Sequence, residues 1–230
     1  MFINRCQFCN SPVSLPDSLC PKCRKIADSE KFDFFTERCP VCSMPLVSLV
    51  YRCPRCSSDG KNRIFSIYDY RAPFFRHMLE QWKFEGKRSY TALFAQEYLS
   101  ALKNLYTDLS SVVLVPVPCS AQSLRKRKWD QMKDVALYLK KKHGIDCAFL
   151  IENRKNTLNQ QKTMDRAQRI SAAEGKFGIN DKEAAKADRS KTCVVLDDIT
   201  TTGSTIRSCV KLLENSGFRT GSAVTLIAEI

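Results

Sequence analysis

The sequence predicts an α/β chain: a parallel, doubly wound sheet at roughly residues 61–230, preceded by a double zinc ribbon at residues 1–60. Three observations predict it. The apolar run Cys193 to Leu196 enters two adjacent carboxylates, Asp197 and Asp198, and then a hydroxyl-rich turn. A second β-branched run, Val112 to Val117, stops at prolines. Eight cysteines in the first sixty residues fall in four C-x2-C pairs.

The cysteines form an internal duplication. Cys6, Cys9, Cys20 and Cys23 recur as Cys39, Cys42, Cys53 and Cys56, each 33 residues on, and Pro12 and Pro21 recur as Pro45 and Pro54. Each C-x2-C turn offers two thiolates, and two turns close a tetrahedral Zn-S4 site. The spacing fits one structural zinc per repeat and also a cross-braced pairing. So short a segment has little core without metal. With no signal peptide ahead of them, disulfides are not expected.

Ser57 to Asn62 reads as a linker and Ile64 to Tyr70 as a strand. Phe75, Met78, Leu79 and Trp82 follow helical spacing up to Gly86. Three cations, Lys83, Lys87 and Arg88, surround the aromatic residues at that helix end, and His77 on the helix reads as a packed or solvated residue. After Val112–Pro118 comes a basic loop, Cys119 to Lys128, and then a helix with stripe Met132, Val135, Ala136, Leu139. Cys119 has no obvious partner base and reads as a small loop residue. Asn153 to Gln168 is polar and unpatterned, a long loop or flap; Asp181 to Ser190 is a charged connector. Residues 221–230 read as a last strand finishing the sheet.

The stretch from Cys193 carries the chemistry. Ile206, Cys209, Val210 and Leu213 fall at i, i+3, i+4 and i+7, and Gly217 offers a left-handed stop, so strand, loop and helix follow in order. That order puts the amides of Thr201, Thr202, Gly203, Ser204 and Thr205 at a helix N-terminus, where the dipole favours phosphate. Thr200 precedes this turn, Gly203 permits close approach, and Asp197 and Asp198 can accept hydrogen bonds from sugar hydroxyls. Phosphate donors beside diol acceptors describe a ribose 5-phosphate site.

This stretch resembles the phosphoribosyl diphosphate (PRPP) motif of the type I phosphoribosyltransferases, D-D/E-x-x-T-T-G-x-T after an apolar run. Val115-Pro116-Val117-Pro118 with Arg125-x-Arg127-Lys128-Trp129-Asp130-Gln131 is similar to the P-V-P…R-x-R-G-F-N-Q signature of the ComF/ComFC family. So is Trp82 to Gly86 to its L-K-Y-x-G, and so are Gln161, Arg169, Gly175 and Phe177 to its Q…R-x-x-N-x-x-G-x-F segment. The departures are Lys128 for Gly, Asp130 for Asn and Ala172 for Asn. The resemblance implies a type I phosphoribosyltransferase-like fold behind zinc ribbons and a role in DNA uptake during natural transformation. Arg125 and Arg127 would then face a diphosphate, and Mg²⁺ would accompany PRPP.

Charge bears on partners. Lys and Arg number 37 against 24 Asp and Glu, a formal +13; eight zinc-bound thiolates would leave about +9. The excess lies beyond residue 60 and favours polyanions, nucleic acid or diphosphates. With no membrane-length apolar run, a cytoplasmic location without membrane insertion is expected. Two functions follow. One is a DNA-uptake factor binding a phosphoribosyl ligand and single-stranded DNA, beside other DNA-uptake proteins. The alternative is an active phosphoribosyltransferase with an unidentified base or amine acceptor.

Overall fold

A computed structural model describes residues 4–14, 18–32, 39, 63–154 and 176–229. Cys42, Cys53, Cys56, the linker at 57–62, most of the expected flap, and Gln161, Arg169, Ala172 and Gly175 lie outside the described residues. The first cysteine repeat is an antiparallel pair, β1 (Asn4–Arg5) and β2 (Pro12–Val13), followed by helix α1 (Pro21–Ser29). Cys20 starts that helix by accepting from the Cys23 N–H, and Pro21 sits where a helix needs no N–H.

Six strands build the main sheet: β3 (Ile64–Asp69), β4 (Val112–Pro116), β5 (Asp146–Cys147), β8 (Thr192–Thr200), β9 (Arg219–Thr220) and β10 (Ala223–Ala228). Their order is β3-β10-β8-β4-β5, with β9 beside β8, and every ladder is parallel. Strands β6 (Ile151–Asn153) and β7 (Phe177–Ile179) form a separate antiparallel pair. β10 finishes the sheet from within, between β3 and β8, rather than at an edge. All six of its residues are buried, and only an interior strand has both faces and both edges covered.

The helices are α2 (Pro73–Phe84), α3 (Tyr90–Leu105), α4 (Ala121–Arg127), α5 (Gln131–His143), α6 (Asp181–Ala184) and α7 (Ser204–Asn215). Strand alternation divides them between two layers. Val112, Leu114, Val194, Leu196, Val224 and Leu226 pack with α2, α3 and α5. Val113, Val115, Cys193, Val195 and Ala223 face the other way, onto Ile206, Cys209, Val210 and Leu213 of α7. Both faces are thus covered, as the uninterrupted apolar strands require. α3 occupies a stretch to which pattern alone assigned no element. No described helix is long and apolar enough to cross a membrane.

The cysteine module is docked on this layer. Glu97 of α3 is only 4% exposed and holds Arg24 at 2.9 Å and Lys31 at 2.8 Å, both from the module. Glu30 accepts from the N–H groups of Phe74 (3.0 Å) and Phe75 (2.8 Å), capping α2, whose own Ala72 cannot. The Tyr90 hydroxyl donates to the Gln7 carbonyl at 2.9 Å, and the Phe8 and Phe74 rings lie 4.1 Å apart. Cys6, Val13, Leu19 and Ala27 join the same core cluster as α2 and α3.

Candidate functional site

β8 and α7 meet in a three-residue turn, Thr201–Gly203, and its shape rests on one glycine. Gly203 has φ +72°, and a Cβ there would stand 2.7 Å from Ile64 Cδ1 and 2.8 Å from Arg207 Nη1. Arg207 steadies the turn by donating from Nη2 to the Thr202 carbonyl at 2.7 Å. The first intrahelical bond runs from Arg207 N–H to Gly203 O, so the preceding amides are left over. Ser204 N–H has a long contact to Thr202 Oγ1, 3.4 Å. Those of Thr201, Thr202, Gly203 and Thr205 find no acceptor among the described residues. Thr201, Thr202 and Ser204 are exposed. Thr200, by contrast, is buried in the strand, its carbonyl accepting from Glu229 N–H.

Beside the turn lies a cavity of about 310 Å³, bounded by Asp197, Asp198 and Thr205 on one side and by Pro118, Cys119, Ser120 and Ser123 after β4 on the other. Lys83, Arg127 and Lys176 bring cations to its wall. Successive strand residues project oppositely, so the two carboxylates have different surroundings. Asp198 meets Lys83 Nζ of α2 at 2.8 Å and Gln131 Nε2 of α5 at 3.0 Å. Asp197 turns toward α7, where its charge helps push the Cys209 thiol up, after burial. Its Oδ1 accepts the Asp198 N–H at 2.9 Å, and its carbonyl takes a short bond from the buried Tyr98 hydroxyl. Burial first, and then the charge of Asp198, raise the Asp197 carboxyl well above the usual carboxylate range.

The opposite wall departs from expectation. The segment expected as a basic loop is helical from Ala121, with Ser120 as its N-cap and Lys128 closing it in the left-handed region at φ +59°. Arg127 reaches the cavity; Arg125 is exposed on the same helix and does not line it. Asp130, one of the departures from the family signature, serves as a cap: it accepts from Lys133 N–H at 3.0 Å and from Cys119 N–H at 3.1 Å. Burial and the charge of Asp130 push the Cys119 thiol up, against a nucleophilic role. Gln131 is 3% exposed, lines the cavity, and its Oε1 finds no partner among the described residues.

The first repeat's cysteines come together. The sulfurs of Cys6, Cys9, Cys20 and Cys23 all lie within 4.8 Å of one another, which brings together one repeat's own cysteines. Cys9 and Cys20 sulfurs stand 3.6 Å apart, far beyond a disulfide and near the ~3.8 Å edge of a tetrahedron with 2.3 Å Zn–S bonds. Four thiols in this geometry fit a metal ion such as zinc. Cys39 is buried; its three repeat partners lie outside the described residues.

Lys83, Gln131 and Lys176 are among the cavity residues that pattern reading did not single out as ligands. Lys83 carried a signal, a cation one residue from a buried tryptophan, but nothing local pointed to Asp198. No family model matches the chain, and no curated protein matches it.

Proposed function

We propose that this chain is a cytoplasmic DNA-uptake factor whose cavity binds PRPP or a related phosphoribosyl ligand, and which also handles single-stranded DNA beside other DNA-uptake proteins. One observation carries the ligand reading: unengaged amides at the start of a twelve-residue helix stand next to the Asp197–Asp198 pair in the same cavity. The 5-phosphate accepts from the amides of Thr201 to Thr205 and from the Thr205 hydroxyl. Ribose hydroxyls hydrogen-bond to the free carboxyl oxygens of Asp197 and Asp198. Lys83, Arg127 and Lys176 supply the charge that a diphosphate needs, with Mg²⁺ as its accompanying cation. The resemblance to the ComF/ComFC family and the basic balance of the chain support the DNA side of the reading.

A second reading, transfer of the phosphoribosyl group, is favoured by that same cation set. An acceptor nitrogen forms its bond to C1 as the C1–O bond to diphosphate breaks, and the leaving diphosphate keeps the electron pair against the three cations.

Thermal unfolding with and without PRPP and Mg²⁺ tests the binding. A rise in Tm that is lost in Thr205→Val and in Asp198→Ala is the expected result. Thr205→Val exchanges only a hydroxyl for a methyl group, so it answers even if Asp198→Ala does not fold. No rise with the wild-type chain overturns the reading. Diphosphate release in the presence of pooled bases and amines separates transfer from binding.

A further inference from the structure

Phe84 is the last residue of α2 and is 62% exposed, although Trp82, two residues earlier, is wholly buried. A lone exposed phenylalanine is ordinary. This one is covered on one side by a guanidinium: Arg127 Cζ lies 5.2 Å from the ring centroid. A second pair adjoins it, with Arg88 Cζ 5.0 Å over Trp129 and the Trp129 ring edge-on to Trp82 at 5.6 Å. Two chain segments meet here, residues 84–88 and 124–128. Lys87, Arg88, Arg125, Lys126 and Lys128 are exposed on them, and Glu85, 3.7 Å from Lys87, is the acid among them.

We infer that Phe84 and Arg127 form a base-stacking step for a single-stranded polynucleotide at the rim of the cavity, with the surrounding cations tracking its phosphates. This rests on the single-strand reading above and gives that strand a path. The chemistry of the patch selects the occupant. Flat aromatic and guanidinium faces reward an open base π-face, which a duplex hides and an acidic peptide lacks. Five further exposed cations reward a phosphodiester chain. The step borders the cavity because Arg127 and Lys83, the neighbour of Phe84, both line it. A strand seated here therefore runs past the Asp197–Thr205 site.

Fluorescence anisotropy with a labelled oligothymidylate of about 20 nucleotides, across a salt series of roughly 50 to 200 mM, tests the assignment on the full chain. Phe84→Ala is expected to weaken binding about fivefold or more, with the slope against log salt unchanged. Phe84→Trp is expected to retain or tighten it. Lys126→Ala is expected to lower that slope by about one counterion. A fully abasic strand of the same length should bind the wild type no better than the normal strand binds Phe84→Ala. Equal affinity of Phe84→Ala and wild type for the oligothymidylate overturns the step, as does a duplex that binds as tightly as the single strand. Absence of any oligonucleotide binding by the wild type removes the single-strand reading itself. The PRPP-dependent rise in Tm, measured separately on the wild type, then shows whether the cavity reading stands.

Discussion

Lys83 Nζ lies 2.8 Å from Asp198 Oδ2, an ion pair joining the end of α2 to the central strand, with the two side chains 11% and 13% exposed. Gln131 Nε2 bonds the same oxygen at 3.0 Å. So the second acid of the motif already holds a cation, and what it offers a ligand is its other oxygen. The desolvated carboxylate is tolerated only while that cation stays. Lys83→Met leaves Asp198 charged and unpaired, and should cost about 3 kcal/mol of unfolding free energy. Urea unfolding checks this; a loss below about 1 kcal/mol would mean the pair is solvated and behaves as a surface one.

Asp197 makes stability depend on pH in an unusual sense for a carboxylate. Its native-state affinity for protons exceeds that in the unfolded chain, because burial and the neighbouring Asp198 charge disfavour ionisation. The favourable contribution is complete below the unfolded value of about 4, and it is lost as pH rises through the higher native value. Asp197→Asn removes that dependence. Its stability relative to wild type should therefore increase from pH 5 to pH 8, in urea unfolding of both proteins with zinc held constant. A gap that stays flat or closes would mean Asp197 is ionised throughout.

Lys128 tests the cost of a local departure. It occupies φ +59° at the end of α4, a conformation in which a side chain is strained and glycine is not. Lys128→Gly should raise stability by about 0.5–1 kcal/mol, and Lys128→Ala should give no such gain. Denaturant midpoints at constant m-value decide it. An alanine variant as stable as the glycine variant would show that the left-handed geometry costs nothing.

What was legible follows from what is local. The strand, turn and helix from Thr192 to Asn215 could be read because each residue's partner lies a few positions away. The four buried residues of α7, Ile206, Cys209, Val210 and Leu213, are those its spacing marks. Gly217 likewise takes the positive φ expected of a left-handed stop. α3 was not legible. Its buried face is broad, running from Tyr90 to Leu102, and includes Glu97, whose partner Arg24 lies 73 residues away. α4 buries no residue, so it has no apolar stripe to read, and its basic run looks like a loop. Gln131 and Lys83 enter the site through Asp198 alone, a pairing across 67 residues for Gln131 that spacing cannot show.

Gly203 bears two constraints at once, so its replacement separates stability from binding poorly unless both are measured. Alanine there is strained by φ +72° and places its Cβ 2.7 Å from Ile64 Cδ1, a buried core atom. Gly203→Ala should destabilise by about 1–3 kcal/mol and abolish the PRPP-dependent rise in Tm, since the turn must open to relieve the clash. Retention of the full rise would show that the turn's amides are not the phosphate's partners.

Metal removal should be felt far from the metal. α1 carries Arg24, and Glu30 and Lys31 follow it directly; together these three residues neutralise Glu97 and cap α2. Unfolding the first module would leave Glu97 buried without either cation, at a cost of about 3–5 kcal/mol, and would strip the cap from the helix that bears Lys83. Cys20→Ser, which disables this cluster alone, should therefore lower the Tm of the whole chain and change the near-ultraviolet signal of Trp82 and Trp129, neither of which belongs to the module. Glu30→Ala keeps the four cysteines and should cost about 1 kcal/mol through the lost cap. A tryptophan-monitored transition unmoved in Cys20→Ser would show that the module is tethered to the sheet domain without supporting it.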